Sequence, residues 1–158
     1  MKIDLSGKTV LVTGGGRGIG AAVSRRFAGA GARVLVHYGR DREAAEAVAQ
    51  ECGGETLQAD LADAGAVSAL WEAAVAMAGR IDVLVNNAGI AIASPPTGDR
   101  NRWLAEWVLT QAVNVTAPAL LCRAAVAHFQ SRGGGRIVNI TSRAAHRGDT
   151  ADHLAYAA

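Results

Sequence analysis

Short β-branched apolar runs alternate with Ala-rich amphipathic stretches along this chain, and no other feature limits its fold as strongly. TVLVT (9–13), RVLVH (33–37), VLVN (83–86) and RIVNIT (136–141) are such runs, with TLQA (56–59) a weaker one. Between them the helical pattern covers 18–29, 41–52, 63–78 and a long stretch over about 102–131. A strand that is apolar without alternation is buried on both faces, and parallel neighbours need a crossover of about a dozen residues or more. The pattern predicts a doubly wound α/β fold around a parallel sheet, whose ligands sit beyond the carboxyl ends of the strands. Chemistry is therefore sought in the residues that follow each strand.

Composition narrows the partners. With 158 residues, 50% hydrophobic and 19% charged, the chain reads as one globular domain. Its 16 basic and 14 acidic side chains leave +2, too small and scattered a charge for nucleic acid. Small molecules are the expected partners. Cys52 and Cys122 have neither metal-ligand nor CxxC spacing and are expected to be free thiols in a reducing compartment, with no metal bound. No secretory h-region and no run of roughly 20 apolar residues is read, so the expectation is a soluble, cytoplasmic protein with no membrane partner.

After the first strand comes TGGGRGIG, Thr13 to Gly20. A strand that turns through glycines into a helix offers free N–H groups and the positive end of a helix dipole, which suits a pyrophosphate. A tight strand-to-helix turn alone would use the same residues. The glycines at Gly14, Gly18 and Gly20 depart from the dinucleotide pattern G-x-G-x-x-G. A free ribose 2′-OH calls for an Asp or Glu about 20 residues downstream. Here His37 and Tyr38 stand there, followed by Gly39 and Arg40, with no carboxylate before Asp41. Arg17 and Arg40 thus favour a 2′-phosphate, hence NADP(H) over NAD(H), unless both are merely solvated. His37 is placed on the adenosine side. In ADLAD, Asp60 can accept from an adenine amino group, while Asp63 suits a helix cap. NNAG (86–89) supplies two amides and a small Ala-Gly pair on which a ligand can lie, although an Asn-rich turn has the same composition. GIAIASPPTGDRN (89–101) is a candidate substrate lid.

In QAVNVTAPAL, Pro118 has no N–H to give the carbonyl of Asn114. The pattern predicts a kinked helix whose spare Asn114 carbonyl can hold a water, or simply a bend that follows the sheet. NITSRAAHRGDTADHLAY places Ser142 just past the last strand and Tyr156 on an incipient helix. A phenol, with a pKa of about 10, exchanges protons at neutral pH only beside a cation that lowers it. Without that context both read as turn and packing residues. His128, His146 and His153 lack clustered partners and read as satisfied or solvated; Trp71, Trp103 and Trp107 read as core or interface.

In this order, TGGGRGIG, Asp60, NNAG, Asn114, Ser142 and Tyr156 resemble the classical short-chain dehydrogenase/reductase family, and within it the 3-oxoacyl-acyl-carrier-protein reductases. The resemblance implies a Rossmann fold with strand order 3-2-1-4-5 and hydride transfer between NADP(H) and a carbonyl or alcohol. It implies that Tyr156 exchanges the proton with the substrate oxygen, Ser142 hydrogen-bonds that oxygen, and Asn114 holds a relay water through its main-chain carbonyl. Gly14, Arg17, Gly18, Ile19 and Gly20 would cradle the pyrophosphate, Arg40 would meet the 2′-phosphate, and Asp60, Leu61, Asn87, Ala88 and Gly89 would line the adenine and ribose. The long helix resembles the element that pairs family members into homodimers and homotetramers. The family tyrosine belongs to a Y-x-x-x-K motif, whose lysine would fall four residues beyond Tyr156, two past the last residue here. On this resemblance, residues 1–158 are one NADP-binding Rossmann domain, incomplete at its C-terminus, with the family's last strands outside it. Two other readings stay open. One is a catalytically dead nucleotide-binding fragment without the lysine; the other is a regulatory nucleotide binder, which would have no use for the Ser142 and Tyr156 pair.

Overall fold

The computed structural model describes residues 3–158, and its sheet has five parallel strands in the order β3-β2-β1-β4-β5. β1 (Thr9–Val12) is central, pairing Val12 with Val36 of β2 (Arg33–Tyr38) and with Val85 of β4 (Val83–Asn86). β3 (Glu55–Gln58) flanks β2, and β5 (Arg136–Asn139) flanks β4. All strands run the same way, so their carboxyl ends open on one side of the molecule.

The strands are apolar throughout because each feeds two cores. Val10 and Val12 join Val34, Val36, Val83 and Val85 against α1 (Gly18–Gly29) and α2 (Arg42–Cys52), through Ala21, Ala45, Val48 and Ala49. Leu11, Leu35 and Leu84 face the other way, onto Val67, Leu70, Trp71 and Ala74 of α3 (Ala64–Ala78) and Leu121, Ala125 and Phe129 of α5 (Ala117–Ser131). This is the two-residue strand period written into both layers. Each such Leu or Val contributes roughly 1.5–3 kcal/mol by leaving water. Trp71 anchors its layer with its ring edge-on to Phe129, centroids 6.5 Å apart.

The long helical stretch differs from expectation. It comprises α4 (Arg100–Gln111), a π-helical turn (Ala112–Thr116) and α5, rather than one helix kinked at a proline. Pro118 lies in the first turn of α5, directly after a π turn in which the i to i−4 pattern is already interrupted. The widened turn, with Ala117 N–H bonded to Ala112 O, absorbs the irregularity one step earlier.

A second correction concerns membranes. The run Arg100–Ser131 is long and apolar enough by composition to cross one, where the sequence reading found no such stretch. In this fold Ala117, Leu121, Ala125 and Phe129 of that run are buried in the core, which makes it a packing helix of the domain. Beyond β5 the chain forms two short helices, α6 (Ala144–Arg147) and α7 (Leu154–Ala157), with a 3₁₀ turn between them. β5 itself is an edge strand, with Arg136, Val138 and Asn139 exposed.

Candidate functional site

The strand ends at the centre of the sheet are joined by side chains rather than left as loops. Thr13 Oγ1 accepts from the N–H groups of Asn87 and Ala88, each at 3.0 Å. Asn87 Nδ2 in return donates to the Thr13 and Gly14 carbonyls at 2.9 and 3.1 Å. The NNAG segment is thus bolted to the glycine loop. Gly20 is where the two come closest: a Cβ there would fall on the Gly14 carbonyl oxygen and against the Asn87 amide. Gly18 is required for another reason, a left-handed φ of 52° at the first residue of α1 with open space beyond it.

Capping separates this helix from its neighbours. Asp41 caps α2 through Ala44 N–H at 3.1 Å, Asp63 caps α3 through Gly65 N–H at 2.7 Å, and Asp99 caps α4 through Arg102 N–H at 2.8 Å. Arg17, at the same position before α1, makes no side-chain cap. The first N–H groups of α1 therefore lack the side-chain acceptor that α2, α3 and α4 have, and they point where an anion would meet the helix dipole. Ile19 lies beside them with 63% of its surface exposed.

Arg17 and Arg40 are both exposed, and among the described residues neither enters an ion pair. Asp60 is exposed and accepts from Ala62 N–H at 2.9 Å, while the Leu61 side chain is buried in the core against α3 and α5. Asp63 is a helix cap, as its spacing suggested. His37 departs from the sequence reading. Its ring is 2% exposed, accepts from Gly14 N–H at Nδ1 (3.1 Å) and bonds the Ala59 carbonyl at Nε2 (3.1 Å), so it lies beneath the loop rather than along the adenosine side. Burial pushes its pKa below the ordinary imidazole value, opposed by the bond to Ala59.

Asn114 lies in the π turn with both ends of its amide committed to Ile90: Oδ1 accepts from Ile90 N–H at 2.9 Å and Nδ2 donates to Ile90 O at 2.8 Å. Gly89 sits directly under it, where a Cβ would meet Asn114 Oδ1 at 3.5 Å. The Asn114 side chain is thus spent on the β4 loop, and Pro118, four residues on, has no N–H to offer the Asn114 main-chain carbonyl. Ser142 Oγ accepts from Ala144 N–H at 3.2 Å, and Ser142 and Tyr156 are both half-buried. No hydrogen bond joins Ser142 to Tyr156 among the described residues. The segment bearing Tyr156 is held by the β4 loop and α4: Ser94 N–H donates to Asp152 O at 2.6 Å, and Gln111 Nε2 to Ala155 O at 2.9 Å.

Sequence reasoning missed Thr13, Gln111 and the true place of His37. Thr13 and His37 carried a faint signal, each being a polar side chain closing an apolar run; Gln111 carried none.

The sequence profile described as short chain dehydrogenase matches residues 8–158. A 3beta-hydroxysteroid dehydrogenase of Eggerthella lenta is 42% identical over 145 residues, covering 88% of this chain and 54% of that enzyme. The crystal structure of a metagenomic short-chain oxidoreductase in complex with NADP superposes with a TM-score of 0.86 at 41% identity, covering 97% of this chain and 70% of the other. A 3-oxoacyl (acyl-carrier-protein) reductase from Agrobacterium tumefaciens with NADP bound gives a TM-score of 0.88 at 34% identity, over 99% of this chain and 60% of that one. The chain spans little more than half the length of the curated relatives it matches.

Proposed function

This chain belongs to the short chain dehydrogenase family, and on that premise we propose that it moves a hydride between NADP(H) and a carbonyl or alcohol substrate. The observation that carries the reading is the nucleotide end. An uncapped helix start, an open left-handed Gly18 and the bolted NNAG segment form a cradle of backbone N–H groups suited to a pyrophosphate. Two further features support NADP(H) over NAD(H). Arg17 and Arg40 are exposed and free of ion pairs among the described residues, and Asp41, the first carboxylate after β2, is turned to Ala44 N–H as a cap. Guanidinium groups suit a 2′-phosphate as a carboxylate does not. The solved relatives with NADP point the same way.

When bound, the nicotinamide supplies or accepts the hydride. The chain's own residues handle the proton and the substrate oxygen. Tyr156 gives its phenolic proton to that oxygen in reduction, Ser142 Oγ hydrogen-bonds the same oxygen, and the Asn114 carbonyl holds a water behind them. The family motif's lysine belongs four residues after Tyr156, and proton transfer is proposed for the protein carrying it. A 3-oxoacyl compound or another ketone or sugar is the substrate class, reached through the 89–101 loop. Residues 1–158 act as one nucleotide-binding domain. The exposed apolar side chains Leu104, Val108, Leu109 and Val115 support pairing of copies through the long helical stretch. The free Cys52 and Cys122 support a cytoplasmic setting.

NADPH oxidation with a ketone panel tests the chemistry. Tyr156→Phe is expected to lower turnover about a hundredfold or more, the scale of lost general acid catalysis, with NADPH affinity within about threefold. Unchanged turnover would remove Tyr156 from the mechanism.

A further inference from the structure

The His37 ring is buried beneath the glycine loop at the nucleotide end, and the functional reading above gives it no task. Its contacts are specific. The ring accepts from Gly14 N–H at Nδ1, and its main-chain carbonyl accepts from Gly15 N–H at 3.0 Å, so one residue of β2 takes two successive N–H groups of the glycine loop. The opposite ring nitrogen, Nε2, lies 3.1 Å from the Ala59 carbonyl at the end of β3. Ala59 N–H in turn donates to the Tyr38 carbonyl at 3.2 Å.

Only one protonation state satisfies both ring contacts. A backbone N–H can donate only to a bare Nδ1, and a carbonyl can accept only from a protonated Nε2. The imidazolium would set an N–H against the Gly14 N–H, and the other neutral tautomer would mismatch both ends. Burial disfavours the charged ring, in the same sense as the Gly14 N–H contact. Of the ionisable groups at the neighbouring strand ends, Arg17, Arg40, Asp41 and Asp60 are exposed and Tyr38 is buried, and none bonds its side chain to the ring.

We propose that His37, as the neutral Nε2–H imidazole, is a positioning residue of the nucleotide site: it fills the Gly14 N–H and spaces the glycine loop from the end of β3, so that the pyrophosphate is taken by the N–H groups beyond Gly15. The proposal rests on the nucleotide-binding reading of the loop. It makes His37 act on a part of the ligand that NADPH and NADH share.

Equilibrium binding of NADPH and of NADH to the wild type, His37→Asn and His37→Phe, each with its thermal unfolding curve, tests it. Asn keeps an acceptor and a donor on one planar group, whereas Phe keeps only the bulk. His37→Phe is expected to weaken both dinucleotides by about tenfold or more, the consequence of an unpaired buried N–H, with their ratio unchanged. His37→Asn is expected to stay within about threefold of wild type, again with an unchanged ratio. Full affinity in folded His37→Phe, or a changed NADPH to NADH ratio, overturns the positioning role. A wild type that binds neither dinucleotide sinks the functional reading and this inference together, whereas wild-type binding unaffected by His37→Phe sinks the inference alone. Should His37→Phe not fold, ¹⁵N chemical shifts of the wild-type imidazole decide: protonated Nε2 and bare Nδ1 support the proposal, and the opposite tautomer or an imidazolium at pH 7 overturns it.

Discussion

The nucleotide end and the reaction end of this molecule are held in different ways. At the first, Thr13, His37, Asn87 and Asn114 each bridge segments distant in sequence, and every bridge has a buried or half-buried partner. At the second, Ser142 bonds two residues ahead, and Thr150, Asp152 and His153 bond one another. Two backbone-directed bonds, from Ser94 and Gln111, connect that segment to the rest. The flanking strands differ as well, β1 being wholly buried and β5 mostly exposed. One end is a pre-formed cradle and the other a surface segment placed by few contacts. Affinity for the nucleotide should therefore depend on the first alone, while turnover depends on both.

The largest expected effect comes from closing the cradle. Gly20→Ala pushes a methyl group onto the Gly14 carbonyl and the Asn87 amide, so calorimetric titration should show NADPH affinity reduced by about a hundredfold or more. Tight binding in that variant would mean that the loop and NNAG are not bolted together as described.

A smaller effect is expected with pH. His37 and His128 are held below the ordinary imidazole pKa, burial being the main cause in each. The unfolded chain takes up these protons first, near pH 6.5, so their contribution is complete above about 6.5 and is lost as pH falls toward the depressed folded values. Asp82, at the amino end of β4, is pushed up by burial but held lower overall by Thr9 N–H, Arg80 and Lys8. Its contribution disappears only as pH falls below about 4. Between about pH 7.5 and 5.5, the melting temperature should fall as the unfolded chain takes up these protons first. A flat profile there would contradict the folded-state preference of the two rings for the neutral form.

Much of this could be read from the residues alone, and what could not has a common physical cause. The strands were legible because an apolar run buried on both faces needs no tertiary knowledge to recognise, and their ends agree within two residues. Asp63 announced a helix start for the same local reason. Pro118 was ambiguous because a proline inside a helix and a proline beginning one look alike in sequence; only the packing of α5 on the sheet decides for the π turn before it. His37 was misplaced because the residue's position at a strand end is visible, but the loop that folds over its ring is not. Leu61 was counted with the ligand-lining residues, yet its side chain turns into the core, a matter of which face the turn after β3 presents. Side-chain bridges between distant strands leave no periodicity behind.

The measurement that tests the account most directly is parallel titration of the chain ending at Ala158 with NADPH and NADH. A pre-formed cradle with Arg17 and Arg40 free to meet a 2′-phosphate predicts binding of NADPH at least about tenfold tighter than NADH. Equal affinities, or no binding of either, would contradict it.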